Sequence, residues 1–313
     1  MNATRRAVID VGTNSIKLLV AEVSEGLVRP IEERSDQTRL GAGLYTTHEL
    51  QPIPLARTAS AVARFVALAR EAEAESIRVI ATSAVRDARN ADDLLRAIRR
   101  AAGLRVEVIS GEQEADWVFH GVTSDPKLTG GQLLILDVGG GSTEFILGEQ
   151  GHRSFRQSFA IGSVRLLENL RPADPPSLAD LSGCRRWLQE FFREEIGPAM
   201  ELRFRQAARG QVTLVGTGGT TTILARKLKQ LTSFQREEIE GTCLSRQRIL
   251  EDMVHLWSLS LEARKKIPGI PPNRADVLIM GVAIYEAVME HFGLPELYVS
   301  TRGLRFGALL ESP

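Results

Sequence analysis

The chain has 313 residues, room for two domains of ordinary size, and its 39 acidic and 39 basic side chains leave no net charge. That balance argues against a nucleic-acid partner recognised by overall charge, so any polyanion site has to be built from local clusters of Lys and Arg. Apolar residues make up 43%, as in an ordinary globular protein, and the two cysteines, Cys184 and Cys243, lack metal-ligand spacing and are expected as small apolar side chains suited to a reducing cytosol.

The first apolar run begins within a few residues of Met1 and leaves no room for a signal peptide. Residues 7–20 read as strand, acid, glycine turn, strand: Ala7-Val8-Ile9-Asp10-Val11, then Gly12-Thr13-Asn14-Ser15, then Ile16-Lys17-Leu18-Leu19-Val20. Further strands and a loop follow to Gly43, with Pro52 and Pro54 ending that loop. Ala59, Val62, Ala63, Val66 and Ala69 place a helix over residues 55–74. Residues 77–81 read as a short strand leading to Thr82-Ser83-Ala84-Val85-Arg86. Asn90 is placed as the N-cap of a helix over 91–102 that Gly103 ends. The arginines of that helix read as a solvated face. Arg86 differs because it follows a strand end, where α/β proteins place ligands.

Residues 105–109 read as another strand. Ser110 with Gln113 then matches a capping box, which puts Glu114 in the first turn of a helix. Carboxylates are common there for electrostatic reasons alone, and that is the simpler reading of Glu114 taken singly. Residues 122–131, with Asp125-Pro126 and Gly130-Gly131, form a turn cluster and mark a domain boundary, giving domains over 1–125 and 126–313.

Residues 133–147 repeat the opening pattern. An apolar strand ends at Asp137, Gly139, Gly140, Gly141 and Ser142 form a turn, and a second strand carries Glu144 and Ile146 on one face. Glycines there let the backbone approach an anion, and the flanking Asp137 and Glu144 suit a site where Mg²⁺ neutralises phosphate. Taken alone, the stretch fits an ordinary hairpin equally well. Superposed on the first copy, Asp137 falls on Asp10, Gly139 on Gly12 and Ser142 on Ser15, so the repeat describes the architecture. Lys17 stands where the second copy has Glu144, which biases the first turn toward phosphate and the second toward metal as well.

After Gly162-Ser163-Val164-Arg165 a helix is expected, then prolines, then helical segments over 177–208. A strand over 211–215, the glycine turn Gly216-Thr217-Gly218-Gly219-Thr220 and a helix over 223–228 read as an anion or nucleotide site that is neither a P-loop nor a Rossmann fingerprint. Residues 275–292 carry Asp276, Glu286, Glu290 and His291 and read as a core helix, not a membrane span. A last strand at 298–300 and a terminal helix opening at Arg302 complete the chain.

Six stretches together resemble the exopolyphosphatase / guanosine pentaphosphate phosphohydrolase (Ppx/GppA) family from about Arg5 to Leu310. They are Ile9-Asp10-Val11-Gly12-Thr13-Asn14-Ser15, Ala81 with Thr82-Ser83-Ala84-Val85-Arg86, Ser110-Gly111-Glu112-Gln113-Glu114-Ala115, residues 137–144, residues 216–220 and Arg274-Ala275-Asp276. The resemblance implies an α/β fold of two duplicated actin-like (ASKHA, ribonuclease H-like) domains facing a cleft. It implies that Glu114 activates water, that Asp137 and Glu144 serve a divalent metal, Mg²⁺ or Mn²⁺, and that Arg86 contacts phosphate. It assigns phosphate binding to Gly12, Thr13, Asn14 and Ser15 and to Gly139, Gly140, Gly141 and Ser142. Gly218 and Gly219 belong to a third turn, near the adenosine site in the superfamily's ATPases. Many family members add a C-terminal helical domain resembling HD hydrolases, which this sequence lacks.

Phosphoanhydride hydrolysis relies on positioning and charge stabilisation, and no Ser-His-Asp or Cys-His arrangement suggests a covalent route. The expected activity is hydrolysis of the terminal phosphate of inorganic polyphosphate. The alternatives are the same chemistry on guanosine pentaphosphate (pppGpp), or an actin-like ATPase whose output is conformational. The family further implies a homodimer, while the charge balance, the core helix and the cysteine usage lead one to expect a cytoplasmic protein with neither a nucleic-acid nor a membrane partner.

Overall fold

The computed structural model describes residues 3–207 and 212–311; Ala208 and Gln211, where an expected helix ends and an expected strand begins, lie outside them. The chain divides into two compact units, Met1–Asp125 with Arg302–Pro313, and Pro126–Thr301.

The first unit holds β1 (Thr4–Val11), β2 (Ile16–Ser24), β3 (Leu27–Asp36), β4 (Ser76–Ala81) and β5 (Val106–Val108), in the sheet order β3-β2-β1-β4-β5. The second holds β6 (Gln132–Val138), β7 (Thr143–Glu149), β8 (His152–Phe159), β9 (Val212–Thr217), β10 (Cys243–Ser245) and β11 (Glu296–Val299), in the order β10-β11-β9-β6-β7-β8. In each, an antiparallel meander lies on one side of the central strand and two parallel strands on the other; the second sheet adds β10 at that edge, antiparallel to β11. The duplication read from two hairpins therefore extends to whole sheets. The central strands β1 and β6 are apolar runs because both faces are covered, whereas β3 is a charged edge that discourages pairing with another chain.

Several local readings change. The helix expected from residue 55 begins at Pro52 (Pro52–Glu71); both prolines sit in its first turn, where the backbone N–H groups have no intrahelical acceptor to lose. Asn90 precedes the helix Ala91–Ala102 without capping it. Its Oδ1 accepts from the Leu50 N–H (2.8 Å) and its Nδ2 donates to the Leu50 carbonyl (3.1 Å), so a distant loop takes the side chain. Cys184 is buried as expected, but Cys243 is exposed because it lies on the edge strand β10. The helix expected at 223 starts at Gly219 (Gly219–Leu228), and the core helix forms over Leu278–His291, buried on nearly every side. Among the described residues no helix is long and apolar enough to cross a membrane.

The terminal helix Leu304–Leu310, expected within a second domain over 126–313, lies in the first unit. It packs on the helix Gly111–Thr123, which carries Glu114. The Trp117 indole N–H donates to Glu311 (2.8 Å), and the Arg78 guanidinium lies 4.8 Å over the Trp117 ring while donating to the Ala308 carbonyl (3.2 Å). Two glycines permit this approach: a Cβ on Gly307 would stand 1.8 Å from the Trp117 carbonyl oxygen, and one on Gly121 would stand 2.3 Å from that of Gly303.

Gly307→Ala must push two backbones apart, so it should destabilise by at least about 1–3 kcal/mol, the usual cost of overpacking. Gly183, inside the helix Leu178–Phe191 with nothing within 4 Å of an added Cβ, is the contrast. Gly183→Ala should stabilise by roughly 0.5–1 kcal/mol, as alanine does within a helix. Urea unfolding of both variants measures the two signs.

Candidate active site

In the second unit the acids stand in one transverse row. The ladder pairs Asp137 with Glu144 across β6 and β7, Glu144 with Ser158 across β7 and β8, and Asp137 with Thr217 across β6 and β9. Directly opposed residues share a face of a sheet, so Thr217, Asp137, Glu144 and Ser158 line the same side. Glu144 is 1% exposed, and its Oε1 accepts from the Ser142 hydroxyl (2.9 Å) and the Ser158 hydroxyl (2.7 Å).

The turn after β6 is closed by the Gly139 N–H donating to the Ser142 carbonyl (3.0 Å). Neither Gly140 nor Gly141 has a left-handed φ, so these glycines serve close approach and not unusual dihedrals. A Cβ on Gly162 would stand 2.5 Å from the Gly140 carbonyl group. The helix Ser163–Leu170 takes up the carbonyls of the turn. The Ser163 N–H donates to Gly139 (3.0 Å), the Val164 and Arg165 N–H groups to Gly140 (2.8 and 3.0 Å), and Arg165 Nε to Gly141 (2.7 Å). The N–H groups of Gly140 and Gly141 have no acceptor among the described residues. They are the donors a phosphate oxygen needs.

Gly218 does need its dihedral freedom, with φ +91, and a Cβ there would stand 2.4 Å from Asp137 Oδ1. At the next residue a Cβ would meet Arg274 Nη2 at 2.1 Å, so the helix start and the Arg274 guanidinium flank the Asp137 end of the row. Beneath it Tyr285, fully buried, directs its hydroxyl at the carbonyls of Leu136 (3.4 Å) and Thr217 (3.3 Å). Burial, with the Asp137 carboxylate adding to it, pushes that phenol well above its ordinary pKa, so it stays a neutral donor.

The first unit repeats the plan with other side chains. Its row is Ile80, Asp10, Lys17 and Ser35, and its turn closes from the Gly12 N–H to the Ser15 carbonyl (3.1 Å). Here a loop replaces the helix: the Gly41 N–H donates to the Thr13 carbonyl (2.7 Å) and the Arg39 N–H to that of Asn14 (3.0 Å). The N–H groups of Thr13 and Asn14 likewise have no acceptor among the described residues. Asp10 is buried with Oδ1 unpaired, and burial raises its carboxyl above the ordinary value, with Lys17 and Arg305 opposing the shift.

At the same edge of this sheet, β4 and β5 run out into Arg86 and Glu114. The Ser110 hydroxyl accepts from the Gln113 N–H (3.1 Å), which starts the helix so that Glu114 falls in its first turn. Glu114 is 7% exposed, and its Oε2 accepts from Arg86 Nη1 at 2.7 Å. The same nitrogen donates to the Ile109 carbonyl (3.0 Å), which ties the pair to the strand end. A cap and a charge-assisted hydrogen bond thus hold one buried carboxylate in place.

Residues 19–312 match the Ppx/GppA phosphatase family. The chain belongs to that family. It is 34% identical to Exopolyphosphatase 2 of Mycobacterium tuberculosis, over 99% of each chain. It is 27% identical to the guanosine-5'-triphosphate,3'-diphosphate pyrophosphatase of Aeromonas hydrophila, over 98% of this chain but 59% of that one. The crystal structure of an exopolyphosphatase from Cytophaga hutchinsonii superposes with a TM-score of 0.87, at 26% identity, over 98% of this chain and 96% of that one. The fold is accordingly the α/β, two-domain actin-like fold of Ppx/GppA proteins.

For this Ppx/GppA chain the expected residues fall into two groups, one per unit. Asp10, Gly12, Thr13, Asn14, Ser15, Arg86 and Glu114 share a sheet edge in the first; Asp137, Gly139, Gly140, Gly141, Ser142, Glu144, Gly218 and Gly219 share one in the second. Ser158 and Tyr285 were not anticipated. Ser158 was findable, since the first copy continues into a third strand and the second should do the same.

Asp10 supplies a test of the burial argument. A carboxyl raised in the folded state costs nothing when both states are protonated, below its ordinary 3.8. The cost grows as pH rises from 3.8 toward the raised native value and is complete above it. Asp10→Asn should therefore raise the unfolding midpoint at pH 7, and the gain should shrink as pH falls toward 4. Thermal unfolding across that range reads it directly.

Proposed function

We propose that this chain is a metal-dependent exopolyphosphatase that hydrolyses the terminal phosphoanhydride of inorganic polyphosphate and releases orthophosphate. The observation that carries the chemistry is Glu114: a buried carboxylate, fixed by a cap and by Arg86, at the edge of a sheet whose glycine turn offers free N–H groups. In this reading Glu114 accepts the proton of the attacking water, and Arg86 holds it in place and adds positive charge for the phosphate. The turns at residues 12–15 and 139–142 donate N–H groups to phosphate oxygens. Gly218 and Gly219 extend the second phosphate-binding surface.

Asp137 and Glu144 suit a divalent cation of the Mg²⁺ type. Mg²⁺ takes one or two carboxylates and completes its shell with water and phosphate oxygens. Two acids sharing a sheet face fit that demand. A cage made wholly of protein does not, since no group of three or more His, Cys, Asp or Glu is placed to hold a metal among the described residues. Bound there, Mg²⁺ or Mn²⁺ would neutralise phosphate charge.

The polyphosphate reading is supported by the relative named Exopolyphosphatase 2, which matches over 99% of each chain. A second reading, pppGpp phosphohydrolase, draws on the Aeromonas pyrophosphatase, of which this chain spans 59%. Phosphate release from the two substrates at equal terminal-group concentration should favour polyphosphate; the reverse order would establish the second reading.

Glu114→Gln keeps the shape but removes the base, so kcat should fall by roughly 10²–10⁴-fold while substrate affinity holds or improves. The exposed Glu112, changed to Gln, should leave turnover nearly intact. Retained kcat in the first variant, or equal damage in the second, would sink the role. Excess chelator should abolish activity, and Asp137→Ala or Glu144→Ala should remove most of it while circular dichroism stays native.

A further inference from the structure

We infer that Ser158 is a positioning residue that makes Glu144 a one-oxygen ligand and so biases the second unit toward Mg²⁺ or Mn²⁺ over Ca²⁺. The inference rests on the reading of Glu144 as a metal acid. A carboxylate that is 1% exposed is costly unless its oxygens find donors. Glu144 meets that demand on one side only in part through its own turn. Ser142, two residues away, supplies one hydroxyl, and the second comes from Ser158 on β8, opposite Glu144 in the ladder.

Both hydroxyls reach the same oxygen, Oε1. Each has a single proton, and a carboxylate oxygen has two lone pairs in its plane, so Oε1 is saturated. With Oε1 taken by two hydroxyls, Glu144 cannot present both of its oxygens to one cation. Mg²⁺ accepts single carboxylate oxygens in a tight octahedron, whereas Ca²⁺ favours larger shells and bidentate carboxylates. In the first unit the same ladder position is Ser35, opposite Lys17 and exposed. Serine at that place is thus part of the repeat, and only in the second unit does it meet an acid.

The test is Mn²⁺ binding followed by electron paramagnetic resonance, without substrate, with Ca²⁺ as competitor, for the wild-type chain, Ser158→Ala, Ser158→Thr and Glu144→Gln. Ser158→Ala should weaken Mn²⁺ binding by about tenfold, the lower end for loss of a partner to a ligand, and should let Ca²⁺ compete at lower concentration. Ser158→Thr keeps the hydroxyl and should match wild type in both. If Glu144→Gln binds Mn²⁺ as wild type does, the metal reading of Glu144 fails and this inference with it. If Glu144→Gln loses Mn²⁺ but Ser158→Ala keeps wild-type affinity and Ca²⁺ competition, only the inference is overturned. Equal impairment of the alanine and threonine variants would likewise overturn it, since strand packing and not the hydroxyl would then be at work.

Discussion

Cross-strand registry is the constraint on which the candidate site depends. Residues opposite each other in a ladder face the same way, and the short connection over residues 139–142, closed from Gly139 to Ser142, leaves β6 and β7 one alignment. A slip of one residue would send Asp137 and Glu144 to opposite faces. The closure from Gly12 to Ser15 does the same for Asp10 and Lys17. Once registry is set, the carbonyls of each turn face inward to neighbouring backbone, a helix start in one unit and a loop in the other. The remaining N–H groups are what each turn can offer a ligand.

The two copies have diverged in how they settle buried charge. Glu144 has two hydroxyl donors on one oxygen, and Glu114 has an arginine. Asp10, at the place of Asp137, keeps one oxygen unpaired and pays in desolvation. A buried polar atom without a partner is retained against its cost to stability, and such atoms concentrate where chemistry is done.

The sequence disclosed the parts of the fold that are locally encoded. Each central hairpin is strand, acid, glycine turn and strand within 14 or so residues, and the repeat shows twice what one copy leaves open. The helix start at Ser110 was legible because a cap is a three-residue signal. What stayed hidden was decided by distant partners. Asn90 looks like a cap until Leu50 claims its side chain. Pro52 and Pro54 look like breakers until one sees that they occupy a first turn. β8 has buried Phe155 and Phe159 among polar residues, too weak a pattern without β7 beside it. Cys243 is apolar in character yet exposed, because exposure there belongs to the sheet edge and not to the residue. The place of the terminal helix could not be read from composition at all; it follows from two glycines, 121 and 307, nearly two hundred residues apart.

That last packing imposes an order on synthesis. The second unit is continuous in sequence and can complete its sheet as soon as Thr301 has emerged. The first unit begins earlier but lacks the helix Leu304–Leu310 until the second unit has been made. Through that interval Trp117 and the glycine groove at Gly121 have no covering helix, although in the folded protein Trp117 is 1% exposed. The half that starts first is therefore the half that closes last, and the helix carrying Glu114 gains its final support only after the whole second unit has been made.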